Sequence, residues 1–169
     1  MIVRQETSGD YDEVYGLVKE AFASAEHSDG NEHDLVAALR KSAAFVPELS
    51  LVAEADGKIV GHILFTEATV GDDTVLALAP LSVLPAYQKT GVGTALMEKG
   101  HRIARELGYS YSVVLGSETY YPRVGYASAD GFGIEVPEGV PPENYMAIKL
   151  QEDAAPVAGT VAYAEEFGM

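Results

Sequence analysis

The stretch from Leu76 to Leu107 constrains this chain more than any other. Leu76-Ala77-Leu78-Ala79-Pro80-Leu81-Ser82-Val83-Leu84 is an apolar run bounded by Pro85. It is too short for a typical globular helix, which predicts a buried strand. Ala86 to Gly93 follows as a loop carrying Gly91 and Gly93. Beyond it Val92, Ala95, Leu96, Ile103, Ala104 and Leu107 recur on one helical face, and Gly108 ends the helix. A strand, a glycine loop and a helix N-terminus make a site for an anion. The first helical amides lack internal partners, and the helix dipole favours negative charge there. Glycine, having no Cβ, lets the backbone come close to a ligand.

The spacing of the loop narrows the choice of anion. A nucleotide P-loop needs Gly-x-x-x-x-Gly-Lys followed by Ser or Thr, and the chain has no such run. A dinucleotide fingerprint needs a third glycine, where Gly91-Val92-Gly93-Thr94-Ala95-Leu96 has Leu96. What remains is Gln88-x-x-Gly91-x-Gly93 after a strand. That pattern resembles the pyrophosphate loop of the GNAT superfamily of N-acetyltransferases, which bind acetyl-CoA. The six-residue pattern is weak alone; the strand before it, the helix after it and a tyrosine-rich segment further on strengthen it.

The rest of the chain reads in the same order as that fold. Ile2 to Thr7 alternates as a first strand, and Asp10-x-x-Glu13 looks like a capping box before a helix with Val14, Leu17, Val18, Ala21 and Phe22 inward. Ser24 to Asn31 is a polar loop. Glu32 to Lys41 is a second helix, with Leu35, Val36 and Leu39 inward, broken by Phe45-Val46-Pro47. Leu49–Ala55 and Lys58–Val70 form a hairpin about Asp56-Gly57, and Gly71-Asp72-Asp73 turns into the central strand. Tyr111 to Leu115 is the next strand, and the helix crossing between makes it parallel to the central one. Pro80 cannot donate to a ladder, so a bulge or a parting of strands is expected there. Gly131–Val136 and Tyr145–Leu150 are expected as late strands.

The expected fold is therefore α/β, an α+β mixed sheet of GNAT type. Antiparallel N-terminal strands lead to a splayed parallel central pair flanked by helices. Residues 1–150 are expected to form the acetyltransferase domain. The tail 151–169 has a strand-like end around Val161 that joins either its own sheet or that of a second copy in a homodimer. By the resemblance, backbone groups of Leu81 and Val83 pair with the pantetheine arm between the splayed strands. Gln88 belongs to the loop pattern, and amides of Lys89, Thr90, Gly91, Val92, Gly93 and Thr94 hold the pyrophosphate.

Charge and composition exclude other classes. The net charge of −15 argues against nucleic acid, whose phosphates need clustered Lys and Arg. The acidity is uneven, though. Thr74 to Met97 contains no Asp or Glu, Lys89 lies in the loop, and His101, Arg102 and Arg105 follow on the helix. There is no cysteine, and the four histidines are not at metal-ligand spacing, so no metal is expected. No apolar run is long enough for a membrane span, and Met1-Ile2-Val3-Arg4 does not begin a signal peptide, which points to a cytoplasmic protein.

The chemistry follows Leu115. Gly116-Ser117-Glu118-Thr119-Tyr120-Tyr121-Pro122-Arg123-Val124-Gly125-Tyr126 resembles the family's Tyr-x-x-x-Gly-Phe segment, with Tyr126 in place of Phe. The matching residue, Tyr121, is often the family's proton donor to the departing thiolate, and Tyr120 is its neighbour at the cofactor. A thiol of pKa ~8.5 against a phenol of ~10 makes full transfer cost roughly 2 kcal/mol unless burial strengthens the thiolate. Many members carry an Asn before this tyrosine; none lies between Tyr111 and Tyr126, and Ser117 is the candidate substitute. The attacking amine must be neutral, which calls for a base. Glu32 and Glu67 lead the candidates, with His33 and His62 behind them. The implied activity is acetyl transfer from acetyl-CoA to a primary amine; the rival is a non-catalytic acyl-CoA-binding or sensing domain on the same fold.

Overall fold

The computed structural model describes residues 1–23 and 30–168. β1 (Ile2–Gln5) is followed by α1 (Tyr11–Phe22) and α2 (Glu32–Leu39). Three long strands then run antiparallel: β2 (Phe45–Ala55), β3 (Lys58–Val70) and β4 (Asp73–Val83). Asp56 and Gly57 both have positive φ, as a two-residue hairpin of native twist needs. α3 (Val92–Glu106) crosses over to β5 (Tyr111–Leu115), which lies parallel to β4. The short β6 (Ala127–Ser128) and β7 (Tyr145–Lys149) complete the order β1-β2-β3-β4-β5-β7-β6. β8 (Val161–Ala162) pairs with Thr69 and Val70 of β3, so the tail strand lies on the sheet of its own chain.

α3 and the two N-terminal helices cover opposite faces of the sheet. On one face Phe65, Leu76, Leu78 and Val114 pack with Val92, Leu96 and Met97 of α3. On the other, Val52 and Leu64 pack with Val14, Leu17 and Val18 of α1 and with Val36 and Leu39 of α2. Leu96 and Met97 are fully buried, each stabilising the fold by roughly 1.5–3 kcal/mol relative to exposure.

β4 and β5 share only two register positions, Leu76↔Ser112 and Ala77↔Val113. Beyond them both strands continue unpaired with each other. The cause is visible on the β3 side. Ile63 pairs with Leu81 and Phe65 with Leu78, so two steps on β3 face three on β4. The extra residue falls at Ala79–Pro80, whose peptide is cis. This is the bulge expected at a residue without an amide hydrogen.

Several expectations need correction. The α3 inward face is Val92, Gly93, Leu96, Met97, Gly100, His101 and Ala104; Leu107 lies past the last turn and is 43% exposed. His101, expected among the basic residues, is 3% exposed, and burial, aided by Arg105, pushes its pKa down to about 4. It is therefore neutral at pH 7. The expected capping box sits one turn early: the Thr7 N–H donates to Asp10 at 2.8 Å, while Glu13 instead accepts the Ile59 N–H at 2.7 Å. α2 ends at Leu39, and Phe45-Val46-Pro47 opens β2 rather than breaking a helix. Gly131–Val136 is no strand. Ala129–Phe132 is a 3-10 turn, Gly133 has φ +88, and only Ile134 makes a bridge, to Gly159. The loop expected over 24–31 falls mostly on 24–29, outside the described residues.

Candidate active site

The unpaired ends of β4 and β5 are lined by two clefts. The first, about 740 Å³, is bounded by Leu81 and Val83 of β4, by Tyr87, Gln88, Lys89, Gly91, Gly93 and Thr94, and by Thr119, Tyr120, Tyr121 and Arg123 after β5. Gly91 is the N-cap of α3, with φ +93, a backbone course that favours glycine. A Cβ placed there would meet open space, so the loop leaves room for a ligand against the backbone. Lys89 also has positive φ, at 63°. The helix amides after Gly91 have no intrahelical carbonyl to bond. With Lys89 and Arg123 the only charged side chains among the described lining residues, this cleft suits a polyanion.

The open edge of β4 suits a polar chain. The Leu84 N–H donates to the Val60 carbonyl at 2.9 Å, towards β3. Strand alternation then turns the backbone groups of Leu81 and Val83 the other way, into the gap before β5. Gln88 Nε2 already donates to the Val83 carbonyl at 3.2 Å, so the loop glutamine meets one of the strand groups expected to bind the cofactor arm.

The second cleft, about 360 Å³, lies along Leu78–Leu81 of β4 and Val113–Leu115 of β5. Its other walls are Phe22 of α1, Asn31, Glu32 and Leu35 at α2, and Tyr163 and Phe167 of the C-terminal segment. Leu81 and Tyr121 line both clefts. Tyr121 opens a 3-10 turn, Tyr121–Val124, which Gly125 closes with φ +107. Its ring packs edge-on against Tyr120 (5.1 Å) and Tyr126 (5.7 Å). Burial, with the neighbouring Tyr120 adding to it, pushes its pKa up to about 12, so the phenol stays protonated at any working pH. Burial also raises Tyr120, partly offset by a hydrogen bond with Thr94.

The other expected residues fall differently. Glu32, in the first turn of α2, lines the second cleft. Glu67 lies on the α3 face of the sheet, accepts a hydrogen bond from the Tyr109 hydroxyl, and lines neither cleft. His62 is fully buried away from both, with Nε2 3.1 Å from Ser50 Oγ and 3.4 Å from Glu6, which Arg40 grips at 2.6 and 3.0 Å. His33 packs edge-on against Tyr15. Ser117 is exposed and bonds Thr119; it is Thr119 that lines the first cleft. Val92 points into the core, and the Thr90 hydroxyl donates to the Tyr87 carbonyl. Sequence reasoning missed Tyr87, Thr119 and Arg123 in one cleft and Phe22, Tyr163 and Phe167 in the other. Only Arg123 carried a signal, as a cation within the tyrosine segment.

Among the described residues no three His, Cys, Asp or Glu side chains group as a metal site, and no helix is long and apolar enough to cross a membrane. The model of the acetyltransferase (GNAT) family matches residues 11–126. The uncharacterized N-acetyltransferase YjhQ of Escherichia coli K12 is 43% identical over 125 residues, 71% of this chain and 69% of its own. The crystal structure of the E. coli GNAT protein YhbS with CoA superposes with a TM-score of 0.88 at 27% identity, covering 99% of this chain and 92% of that one. A GNAT acetyltransferase from Brucella melitensis, solved with acetyl-CoA, gives 0.81 at 31% identity, covering 98% and 97%.

Proposed function

The chain belongs to the GNAT family and is an acetyl-CoA-dependent N-acetyltransferase; on that premise we propose that it acetylates a primary amine of a small molecule or peptide by direct attack. The observation that carries this is the shared wall. Leu81 and Tyr121 border both the cleft that suits a polyanion and the cleft that holds a carboxylate. An acetyl group carried on one ligand can therefore meet an amine bound in the other.

Acetyl-CoA supplies the acetyl group as an activated thioester. The residues of this chain do the rest. Lys89, Arg123 and the first amides of α3 bind the phosphates. Backbone groups of Leu81 and Val83 hold the arm along the unpaired edge of β4. Glu32 attracts the ammonium form of the acceptor and takes its proton, leaving the neutral nitrogen that reacts. The new N–C bond forms as the C–S bond breaks; the nitrogen gives up its second proton to solvent, and Tyr121 donates a hydrogen bond to the departing sulfur. With Tyr121 near 12 and a thiol near ~8.5, full transfer costs roughly 5 kcal/mol unless burial also strengthens the thiolate. Tyr121 thus works chiefly by donating a strong hydrogen bond to the developing sulfur charge, and the product thiol completes its proton exchange with solvent.

The test is thiol release from acetyl-CoA against a panel of primary amines, repeated with Tyr121→Phe. The variant keeps the ring, so acetyl-CoA affinity should hold while turnover falls by ~10²-fold, the scale of a positioned proton donor. Wild-type turnover in Tyr121→Phe removes that role from Tyr121. Failure of every amine, with acetyl-CoA still bound in calorimetry, removes the acceptor assignment.

A further inference from the structure

The second cleft carries more information than its place beside Tyr121. Its walls are apolar: Phe22, Leu35, Leu78, Pro80, Val113 and Phe167 among others. Glu32 is the one charged side chain among its described lining residues. Among the described lining residues there is no cation, so a free amino acid would bring a carboxylate that none of them pairs, and a diamine would bring a second ammonium where they supply one carboxylate. Burying an unpaired charge is costly. At about 360 Å³ the space is at the low end for small-molecule pockets, about 300–1,000 Å³.

Part of the apolar wall comes from the end of the chain. β8 fastens the tail to β3, and the Tyr111 hydroxyl donates to the Ala155 carbonyl at 3.0 Å. Tyr163 is tied by its hydroxyl to that of Tyr145 at 2.7 Å, which spends its polar end and leaves the ring to the cleft. Phe167 packs on the Tyr163 ring at 5.5 Å, in a turn (Glu165–Phe167) set against α2.

We infer that the acceptor is a small monoamine with an apolar body, its ammonium drawn to Glu32 and its body seated against Tyr163 and Phe167, which set this specificity. The inference rests on the acetyl-transfer reading above. The experiment compares n-alkylamines from butyl to octyl, whose basicity is nearly constant, with α,ω-diamines of the same lengths, by thiol release. For the monoamines kcat/KM should rise about fourfold per methylene until the cleft is full, the fold-change equivalent to about 0.8 kcal/mol per buried CH₂. Each diamine should fall at least tenfold below its monoamine. Phe167→Ala should flatten the slope and lower octylamine kcat/KM about tenfold, with acetyl-CoA affinity in calorimetry unchanged because Phe167 does not line the cofactor cleft; Phe167→Leu should restore most of the slope. Turnover with a flat slope, or with diamines preferred, overturns the inference and leaves the acetyl-transfer reading standing. A slope unchanged in a folded Phe167→Ala removes Phe167 from the acceptor site. No turnover with any amine, while acetyl-CoA binds, overturns both.

Discussion

Gly93 and Tyr120 offer the sharpest quantitative test of how the cofactor cleft is built. A Cβ added at Gly93 would lie 2.2 Å from the Tyr120 hydroxyl oxygen, a separation real atoms do not tolerate. The next nearest atoms are Tyr120 Cζ at 3.5 Å and Leu81 Cδ2 at 3.7 Å, both ordinary contacts. The whole conflict is thus one oxygen. Gly93 lies within α3 without a positive φ, so alanine there should otherwise stabilise by about 0.5–1 kcal/mol. With the clash, Gly93→Ala should instead lose about 1–3 kcal/mol, the usual cost of overpacking. That corresponds to a Tm drop of about 2–12 °C for a domain of this size. Tyr120 cannot swing away freely, because its ring rests on Tyr121. Acetyl-CoA affinity should therefore fall too. Tyr120→Phe alone should cost about 0.5–1.5 kcal/mol for its hydrogen bond. The double variant Gly93→Ala/Tyr120→Phe should be no less stable than Tyr120→Phe alone. Thermal unfolding of the four proteins gives the coupling energy directly. Additive losses in the double variant would refute the reasoning, placing the intolerance of Gly93 in the helix backbone rather than at the hydroxyl.

Two further expectations follow from other parts of the chain. Gly91→Asp meets no neighbouring atom but strains a backbone at φ +93, at a cost of roughly 1–2 kcal/mol that Gly91→Ala shares; relative to Gly91→Ala its acetyl-CoA affinity should drop at least tenfold in calorimetry, and equal affinity in the two variants would remove the phosphates from this loop. Glu6 is buried, which by itself raises its pKa, but hydrogen bonds with His62 and Arg40 outweigh this and hold it at about 2, below the usual 4.5. A depressed carboxyl contributes stability that is whole above about pH 4.5 and lost as pH falls towards 2. Glu6→Gln should therefore be less stable by roughly 3–5 kcal/mol at pH 7, since it strands Arg40, and the gap should narrow below pH 4 in denaturant titrations. A gap constant from pH 7 to pH 3 would contradict this.

What the sequence revealed and what it concealed divide along physical lines. The glycine loop, the Asp56-Gly57 hairpin and the bulge at Pro80 are each set by residues within a few positions of one another, and the parallel pair by the helix that crosses between its strands. Local conformational rules reach that far. The acceptor wall is different. Phe22 and Phe167 line one cleft from nearly opposite ends of the chain, and nothing in either neighbourhood marks this. Glu67 lies outside both clefts for the same reason: its face of the sheet is set by Phe65 two residues earlier, and it finds Tyr109 there.

Tyr126 shows how such a long-range partner changes the meaning of a motif. Read alone, it is a departure from the family's Phe. In the fold its hydroxyl lies 3.0 Å from His101 Nε2 and 2.9 Å from Ser112 Oγ, and all three residues are buried. Each would be a liability without the others, because a buried polar group that finds no partner is destabilising. The helix histidine that looked like part of a basic face, the strand serine and the extra hydroxyl are therefore one unit. It joins α3, β5 and the tyrosine segment. The Tyr126 ring in turn supports the Tyr121 ring at 5.7 Å. The position of the proposed proton donor thus depends on a hydrogen-bonded trio that no single stretch of sequence contains.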